Sequence, residues 1–431
     1  MAEILKTLRK YNLINFTLVI NNTKILHLLF LVFIALILEY RYISFITVKY
    51  EYYNFTLNYS LFKLVLGKFL MLLSFVFLLF NQSKFIYFTA LLLNLFLFIP
   101  NIIIYQYTNA PVFIVLLIML FLFLLSSNFI KLRNIKFFTI KESQKLPILF
   151  IIAILSLMPF FLTFKLNIDL RVFTFGSIIY EIREKGILLS NIYTNYLYSP
   201  LTNFVLPIII VFGIMNRKWQ YVIFGIISML YLYAIIPQKG TFMGIGTILL
   251  FYFIKDLYNK LSLFLFSLTI LLLTTIFFTV ILNINMPESI FIRRLFFIPA
   301  ILNNAYFDIF KDNHIYLSHS VLKYFLEYPY SVEPPFYVSK LFWGVSADAN
   351  NGIIADGYMN FGIIGSIVSI VFATLILKFI DTLNISYRFL GITYMVLRLF
   401  ISGALLTSLL THGLLLLLFI IPFFLKDTNN E

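Results

Sequence analysis

Long apolar runs, each about 20 residues in length, alternate with short polar segments along almost the whole chain. A run of that length matches the hydrocarbon thickness of a bilayer, and its backbone must be helical because lipid offers no hydrogen-bonding partners. The runs lack the alternation of apolar and polar residues that marks the strands of a membrane barrel. The pattern therefore predicts an all-α, polytopic transmembrane helical bundle, a single membrane domain over 1–431 with about 12 spans. The predicted spans cover residues 25–40, 61–80, 85–100, 111–130, 147–164, 201–216, 220–236, 242–254, 261–282, 353–377, 389–403 and 408–425.

Composition supports the membrane assignment. The chain has 431 residues, of which 61% are hydrophobic and 12% charged, and its mean hydropathy is +0.97. A soluble globular chain is nearer half apolar and a quarter charged. The absence of cysteine from the sequence excludes a disulfide framework and thiol chemistry. Residues 1–24 are basic and lack a small-residue cleavage site, which favours a retained anchor over a cleaved signal peptide.

The distribution of positive charge predicts the orientation of the chain. The segment 131–146 carries five cations and one acid, Glu142, and is the clearest cytoplasmic loop by the positive-inside rule. Alternation from that loop puts both termini in the cytoplasm, with Lys and Arg about three times denser inside than outside. This asymmetry accounts for part of the net charge of +14 without a nucleic-acid partner. The five cations are Lys131, Arg133, Lys136, Lys141 and Lys145.

Two long segments, 165–200 and 283–352, fall on the outer face in this topology. Long polar and aromatic loops on a rigid scaffold are where binding and catalytic residues concentrate. The sequence has no internal repeat, which weakens a transporter interpretation. The outer loops are therefore the expected location of the chemistry.

Arg293 and Arg294 stand where the ninth predicted span meets the outer surface. A guanidinium group offers forked donors that match phosphate oxygens, so the pair is a candidate phosphate clamp. The alternative is a pair of cations that extend to the interface and anchor the helix end. Neighbours on a helix point about 100° apart, so we expect only one of the two to face a substrate.

Aromatic and acidic side chains follow the arginine pair. Tyr306, Phe307 and Phe310 recur at helical spacing, which favours an apolar face packed on the membrane surface; Tyr306 is also a candidate substrate contact. Asp308 and Asp312 could be general bases, although solvated surface acids are the more common case.

His314 and His319 are five residues apart, a poor spacing for two metal ligands on one helix face. Since no cysteine or third histidine lies nearby, the sequence predicts no metal site. His319 is a candidate base or substrate contact.

The segment 348–365 is rich in amides, acids and glycines and enters the tenth predicted span. Polar groups on the first turns of a membrane helix are costly unless they line a wet cavity. We interpret Asn350, Asp356 and Asn360 as sugar-binding residues, with Asp356 also a candidate base. Gly362 and Gly365 permit close helix packing.

Three further cations are candidates outside these segments. YEIREK in the first outer loop contains Arg183, a candidate substrate contact, although Glu181 and Lys185 could simply form a helical ion pair. PQKGT places Lys239 in an outer turn between two spans, again as a candidate substrate contact. Arg398 lies in the middle of the eleventh predicted span, where an arginine is a functional candidate by default.

With these residues in view, the chain resembles the Wzy-type oligosaccharide repeat-unit polymerases of bacterial O-antigen and capsule assembly. The resemblance rests on the order of short motifs along most of the chain. Some members of the family carry paired outer-loop motifs in which an Arg is followed by ten residues and then a Gly. None of the outer-loop arginines of this chain has that spacing. This departure argues against a mechanism in which two loops pass the substrate between them. The motifs are YEIR, QKG, RRLFFIPAILNNAYFDIF, SHS, YPY and ADANNGIIADGYMNFGIIG.

The resemblance implies a reaction at the outer face of the bacterial cytoplasmic membrane. A growing glycan on undecaprenyl diphosphate is transferred to the distal sugar of an incoming lipid-linked unit, with undecaprenyl diphosphate as leaving group and no cofactor. The flippase and chain-length regulator of the same pathway are the implied partners. Two other functions remain open from the sequence: an O-antigen ligase, which shares the donor and the late outer loop, and a lipid-linked oligosaccharide flippase.

Overall fold

The computed structural model describes residues 21–80, 82–132, 137, 140–174, 178–238, 252 and 256–425. These residues form helices and loops without any strand, which confirms the all-α class for this part of the chain. Contacts divide the chain into two compact units. The first comprises Met1–Leu132, Leu257–Asp381 and Phe400–Leu405, and the second comprises Arg133–Asp256, Thr382–Leu399 and Leu406–Glu431.

Among the described residues, seven helices are long and apolar enough to cross a membrane: Asn22–Lys49 (α1), Leu61–Leu78 (α2), Lys84–Tyr107 (α3), Glu142–Phe164 (α5), Ile192–Met215 (α7), Leu257–Leu282 (α9) and Ile353–Thr382 (α12). Three shorter apolar helices accompany them in the same part of the chain: Val112–Ser126 (α4), Trp219–Ile235 (α8) and Leu414–Leu425 (α15). Several spans are thus consistent with a multi-pass membrane protein, while the count of about 12 and the single domain over 1–431 stay predictions. The predicted span 242–254 lies, except for residue 252, outside the described residues. In chain order the helices are α1 Asn22–Lys49, α2 Leu61–Leu78, α3 Lys84–Tyr107, α4 Val112–Ser126, α5 Glu142–Phe164, α6 Ile178–Leu189, α7 Ile192–Met215, α8 Trp219–Ile235, α9 Leu257–Leu282, α10 Ile298–Ile309, α11 Pro334–Trp343, α12 Ile353–Thr382, α13 Leu390–Ser402, α14 Leu405–Leu410 and α15 Leu414–Leu425.

Both segments predicted as long outer loops contain helices. Residues 165–200 hold α6 and the first turns of α7, so the span predicted at 201–216 already begins at Ile192. Residues 283–352 hold a π-helical segment, Ser289–Phe297, followed by α10 and α11. The π-helical segment carries both arginines of the predicted clamp.

Helix α3 forms the centre of the first unit. All of its residues from Phe85 to Tyr107 are buried, among them the polar residues Thr89, Asn94, Asn101 and Gln106. Asn101 of α3 accepts a hydrogen bond from the side-chain amide of Asn303 on α10, at 3.3 Å. The ring of Phe96 stacks on Phe296, with 5.4 Å between centroids. These contacts fix α10 and the π-helical segment to the core of the unit.

Helix α12 is bent back on itself. Phe361 and Gly362 leave the helical region, with φ −140° and ψ 20° at Phe361 and φ 63° and ψ −151° at Gly362. The Ser366 hydroxyl donates to the Ile354 carbonyl at 2.8 Å, although 12 residues of continuous helix would separate the two by about 18 Å. Residues 353–360, the short arm, therefore fold back along residues 363–382, the long arm. The long arm alone is sufficient to cross a bilayer.

The bend depends on a backbone conformation that only glycine adopts readily, and we expect Gly362→Ala to destabilise the protein by about 1–3 kcal/mol. The added Cβ would also lie 2.8 Å from Nε2 of His314. Thermal unfolding of the purified protein in detergent measures the effect. Gly344→Ala is the matched control, since Gly344 has φ 69° with no atom within 4 Å of an added Cβ, and it should lower the midpoint less. Equal midpoints for Gly362→Ala and the parent protein would contradict the bent structure.

Candidate functional site

The short arm of α12 carries the carboxylate of Asp356, a residue only 6% exposed. One carboxylate oxygen accepts from the Leu405 amide at 3.3 Å, and the other accepts from the Asn360 side chain at 3.2 Å. Within the described part of the chain Asp356 forms no ion pair. A nearly buried carboxylate held only by neutral donors is unusual, because buried acids are normally paired with cations. This arrangement marks Asp356 as a functional candidate.

Asn360 connects Asp356 to the loop that contains Ile315, Tyr316 and Leu317. Its Nδ2 donates to the Asp356 carbonyl at 2.9 Å, while its Oδ1 accepts from the Leu317 amide at 2.8 Å. The amides of Ile315 and Tyr316 donate to the carbonyls of Met359 and Asn360, at 3.1 and 3.2 Å. The loop thus satisfies the free carbonyls at the end of the short arm. The predicted sugar contact Asn360 is 1% exposed, and its amide acts here as a structural link.

Tyr306 lies on α10 and is fully buried. Its hydroxyl donates to the Ala349 carbonyl at 2.9 Å and so positions the loop before α12. Burial, with the nearby carboxylates of Asp356 and Asp348, raises the pKa of Tyr306 well above its usual value. The side chain therefore remains a neutral donor. Tyr306, Phe307 and Phe310 are expected from the sequence to pack on the membrane surface, but all three are buried within the protein. A substrate contact by Tyr306 stays a prediction.

The two loop histidines are partly buried, and Nδ1 of each is buried with no hydrogen-bond partner in the described chain. The His314 ring meets Tyr358 edge to face, with 5.5 Å between centroids, beside the bend at Gly362. The His319 ring lies 6.0 Å from that of Tyr328. Burial lowers the pKa of His319, which favours the neutral imidazole, the form that accepts a proton.

The two arginines of the predicted clamp have different environments. Arg293 is 5% exposed, and its guanidinium lies over the rings of Tyr50 and Tyr53, at 4.3 and 5.0 Å from their centroids. Its Nε and Nη2 donate to the Ser289 hydroxyl at 3.1 and 2.9 Å. Arg294 is exposed and forms no ion pair with any described residue. Arg293 is thus held by the protein, and Arg294 is the cation left accessible.

A buried ion pair that the sequence did not predict supports this segment. Arg41 of α1 donates from Nε to Oε1 of Glu288 at 2.5 Å and from Nη2 to Oε2 at 2.8 Å. Glu288 is fully buried and directly precedes the π-helical segment. The tyrosines that contact Arg293 were also missed. The available signal was one acid and one arginine, each at the edge of an apolar run.

The remaining predicted residues are dispersed. Asn350 is exposed and donates to the exposed Asp348 at 3.0 Å, next to the short arm. Arg183 is exposed on α6 and Arg398 lies on α13, both in the second unit. Lys239 lies outside the described residues. The structure therefore brings Asp356, Asn360 and Tyr306 together in the first unit. The described residues hold no group of three His, Asp or Glu side chains arranged as metal ligands.

Comparisons with known proteins identify no relative of this chain. No family model matches it, and neither a curated protein nor a solved structure is significantly similar to it.

Proposed function

We propose that the chain is a metal-independent membrane glycosyltransferase that polymerises oligosaccharide repeat units carried on undecaprenyl diphosphate. The observation that supports this most is the carboxylate of Asp356. It is nearly excluded from solvent, held by amide donors alone, and linked through Asn360 to the outer loop. The bend beside Asp356 interrupts the helix. Non-helical backbone at membrane depth is tolerated where protein or a water-filled cavity surrounds it.

In the proposed reaction the acceptor sugar hydroxyl loses its proton to the Asp356 carboxylate as its oxygen attacks the donor sugar. The new glycosidic bond forms at the anomeric carbon, and the bond from that carbon to the diphosphate oxygen breaks. Undecaprenyl diphosphate leaves with the electron pair. Proton transfer of this kind contributes about 10²- to 10⁴-fold to a rate. His319, neutral because of its burial, is the alternative proton acceptor.

Negative charge develops on the leaving diphosphate, and Arg294 is the cation proposed to stabilise it. A guanidinium carried on a helical segment can stabilise this charge where it develops. The exposure of Arg294 leaves its donors free for phosphate oxygens. Arg293, enclosed by Tyr50 and Tyr53, is proposed to hold the segment in place.

The proposal places the reaction on the outer face of the bacterial cytoplasmic membrane, with both termini and residues 131–146 in the cytoplasm. The cation density of that segment supports the orientation. We expect reporter fusions at Gln144 and Asn429 to show cytoplasmic activity, and fusions at Tyr324 to show the opposite. Periplasmic activity at Gln144 would reverse the topology and move the site to the wrong face.

Asp356→Asn should lower the rate of polymer formation by about two or more orders of magnitude. The asparagine keeps the shape of the side chain but cannot take up the proton. The readout is the length of glycans in cells, with the amount of membrane-inserted protein measured alongside. Asp348→Asn is the matched control, since Asp348 is exposed and contacts only Asn350 among the described polar side chains. Glycans of normal length from Asp356→Asn would remove Asp356 from the mechanism.

Arg294→Ala should slow transfer about 10- to 150-fold, the equivalent of one charge-assisted hydrogen bond of about 1.5–3 kcal/mol. Cells should then accumulate single repeat units, and Arg294→Lys should restore only part of the activity. Arg293→Ala should mainly reduce the thermal stability of the protein, because it removes a buried contact with two rings.

The glycan products of Arg294→Ala also distinguish the competing functions. Long polymer still attached to the lipid carrier would point to a ligase and contradict the polymerase proposal. Repeat units retained on the cytoplasmic leaflet would point to a flippase.

A further inference from the structure

A cavity of about 380 Å³ lies within the second unit, where the end of α5, the helix α6 and the end of α8 meet. Lys165 and Asn167 line it from the segment after α5, and Lys185 lines it from α6. Ala234 and Ile235 of α8 form its apolar wall. The cavity is separate from the site around Asp356, which belongs to the first unit.

The walls of the cavity are held by specific contacts. Gly186 of α6 packs directly against the Ile235 carbonyl, where a larger residue has no room. Lys165 has a positive φ of 52°, and its carbonyl accepts from the Tyr231 hydroxyl at 2.8 Å. Ile182 of α6 packs in a buried cluster with Tyr233 and Ala234 of α8. The cavity is thus a built feature of the unit.

The charge facing the cavity is positive. Asp169 also lines it, but Arg171 donates to that carboxylate at 2.6 and 2.9 Å. The hydrogen bonds from Arg171 lower the pKa of Asp169, so the carboxylate stays ionised. The positive charge of Arg171 balances the charge of that carboxylate. Lys165 and Lys185 form no ion pair among the described residues, and the predicted pairing of Lys185 with Glu181 is not present there. Lys165 and Lys185 therefore line one cavity that carries an excess of positive charge, although the charge of Lys185 also helps to lower the pKa of Asp169.

Exposed leucines surround these cations. Leu162, Leu166 and Leu188 are 74, 75 and 78% exposed, and they flank Lys165 and Lys185 along the chain. Apolar side chains exposed at the end of a membrane helix contact acyl chains, while neighbouring lysines reach the headgroup level. This combination fits an amphiphile with an anionic head and an apolar tail.

We propose that this cavity binds the phosphate group of an anionic lipid, with Lys165 and Lys185 on the phosphate oxygens and the exposed leucines against the acyl chain. The lipid could be a bulk phospholipid or an isoprenoid diphosphate, because both present the same chemistry. The proposal does not depend on the transferase assignment, since it concerns binding without turnover.

The test uses the full chain purified in detergent and native mass spectrometry with phosphatidylglycerol or phosphatidylcholine at equal concentration. We expect the parent protein to retain phosphatidylglycerol in preference, and Lys165→Ala/Lys185→Ala to reduce that retention about tenfold or more, the effect of losing charge-assisted hydrogen bonds. Lys165→Arg/Lys185→Arg should retain the lipid. Lys218→Ala is the matched control, an exposed lysine of the same unit that does not line the cavity.

Asp169→Asn provides a test of opposite sign. It removes the only carboxylate that lines the cavity in the described chain, so phosphatidylglycerol retention should rise, a result that damage to the fold would not produce. Equal retention by the double alanine variant and the parent protein would overturn the proposal, and so would equal retention of the two lipids.

Competition then identifies the source of the phosphate. Displacement of phosphatidylglycerol by undecaprenyl diphosphate supports the proposal with the carrier lipid as ligand, and retention of phosphatidylglycerol supports it with bulk phospholipid. Displacement by inorganic diphosphate at the same concentration would contradict the role of the acyl chain.

Discussion

The reversal of the backbone at Phe361 and Gly362 determines where the polar groups of the candidate site lie. A helix that ends in the protein interior leaves buried carbonyl groups, and each costs free energy unless a donor meets it. The amides of Ile315 and Tyr316 are those donors. The loop that contains them is therefore not independent of the helices, because its backbone completes the hydrogen bonding of the short arm. Asn360 extends the same connection to the carboxylate of Asp356.

The fold separates charges that hold it together from charges that remain available. Arg41 is neutralised by Glu288, and Arg293 is enclosed by aromatic rings. Such groups are costly to bury and are retained only when every donor finds a partner. Asp356, Arg294 and the two lysines of the second unit's cavity form no ion pair within the described chain. Charges left uncompensated in this way are the ones able to act on a ligand.

Much of the helical architecture could be predicted from the sequence, because apolar runs of span length have few alternatives in lipid. The bend in α12 could not, since Phe361 and Gly362 continue an apolar pattern and only the backbone angles reveal the reversal. The unequal roles of Arg293 and Arg294 follow from helical geometry, but which one is buried depends on Tyr50 and Tyr53, some 240 residues away. Asp356 was found because an acid entering a membrane segment is costly. The hydrogen bond of Tyr306 could not be predicted, because its partner is the Ala349 carbonyl, which is distant in the sequence.

The ion pair between Arg41 and Glu288 also affects how the protein is made. The two residues are 247 positions apart in the chain, and synthesis proceeds at about 5–20 residues per second. Arg41 is therefore synthesised roughly 10 to 50 s before its partner. The contact between the two residues can form only after most of the chain has been made, so this part of the first unit is completed late in synthesis.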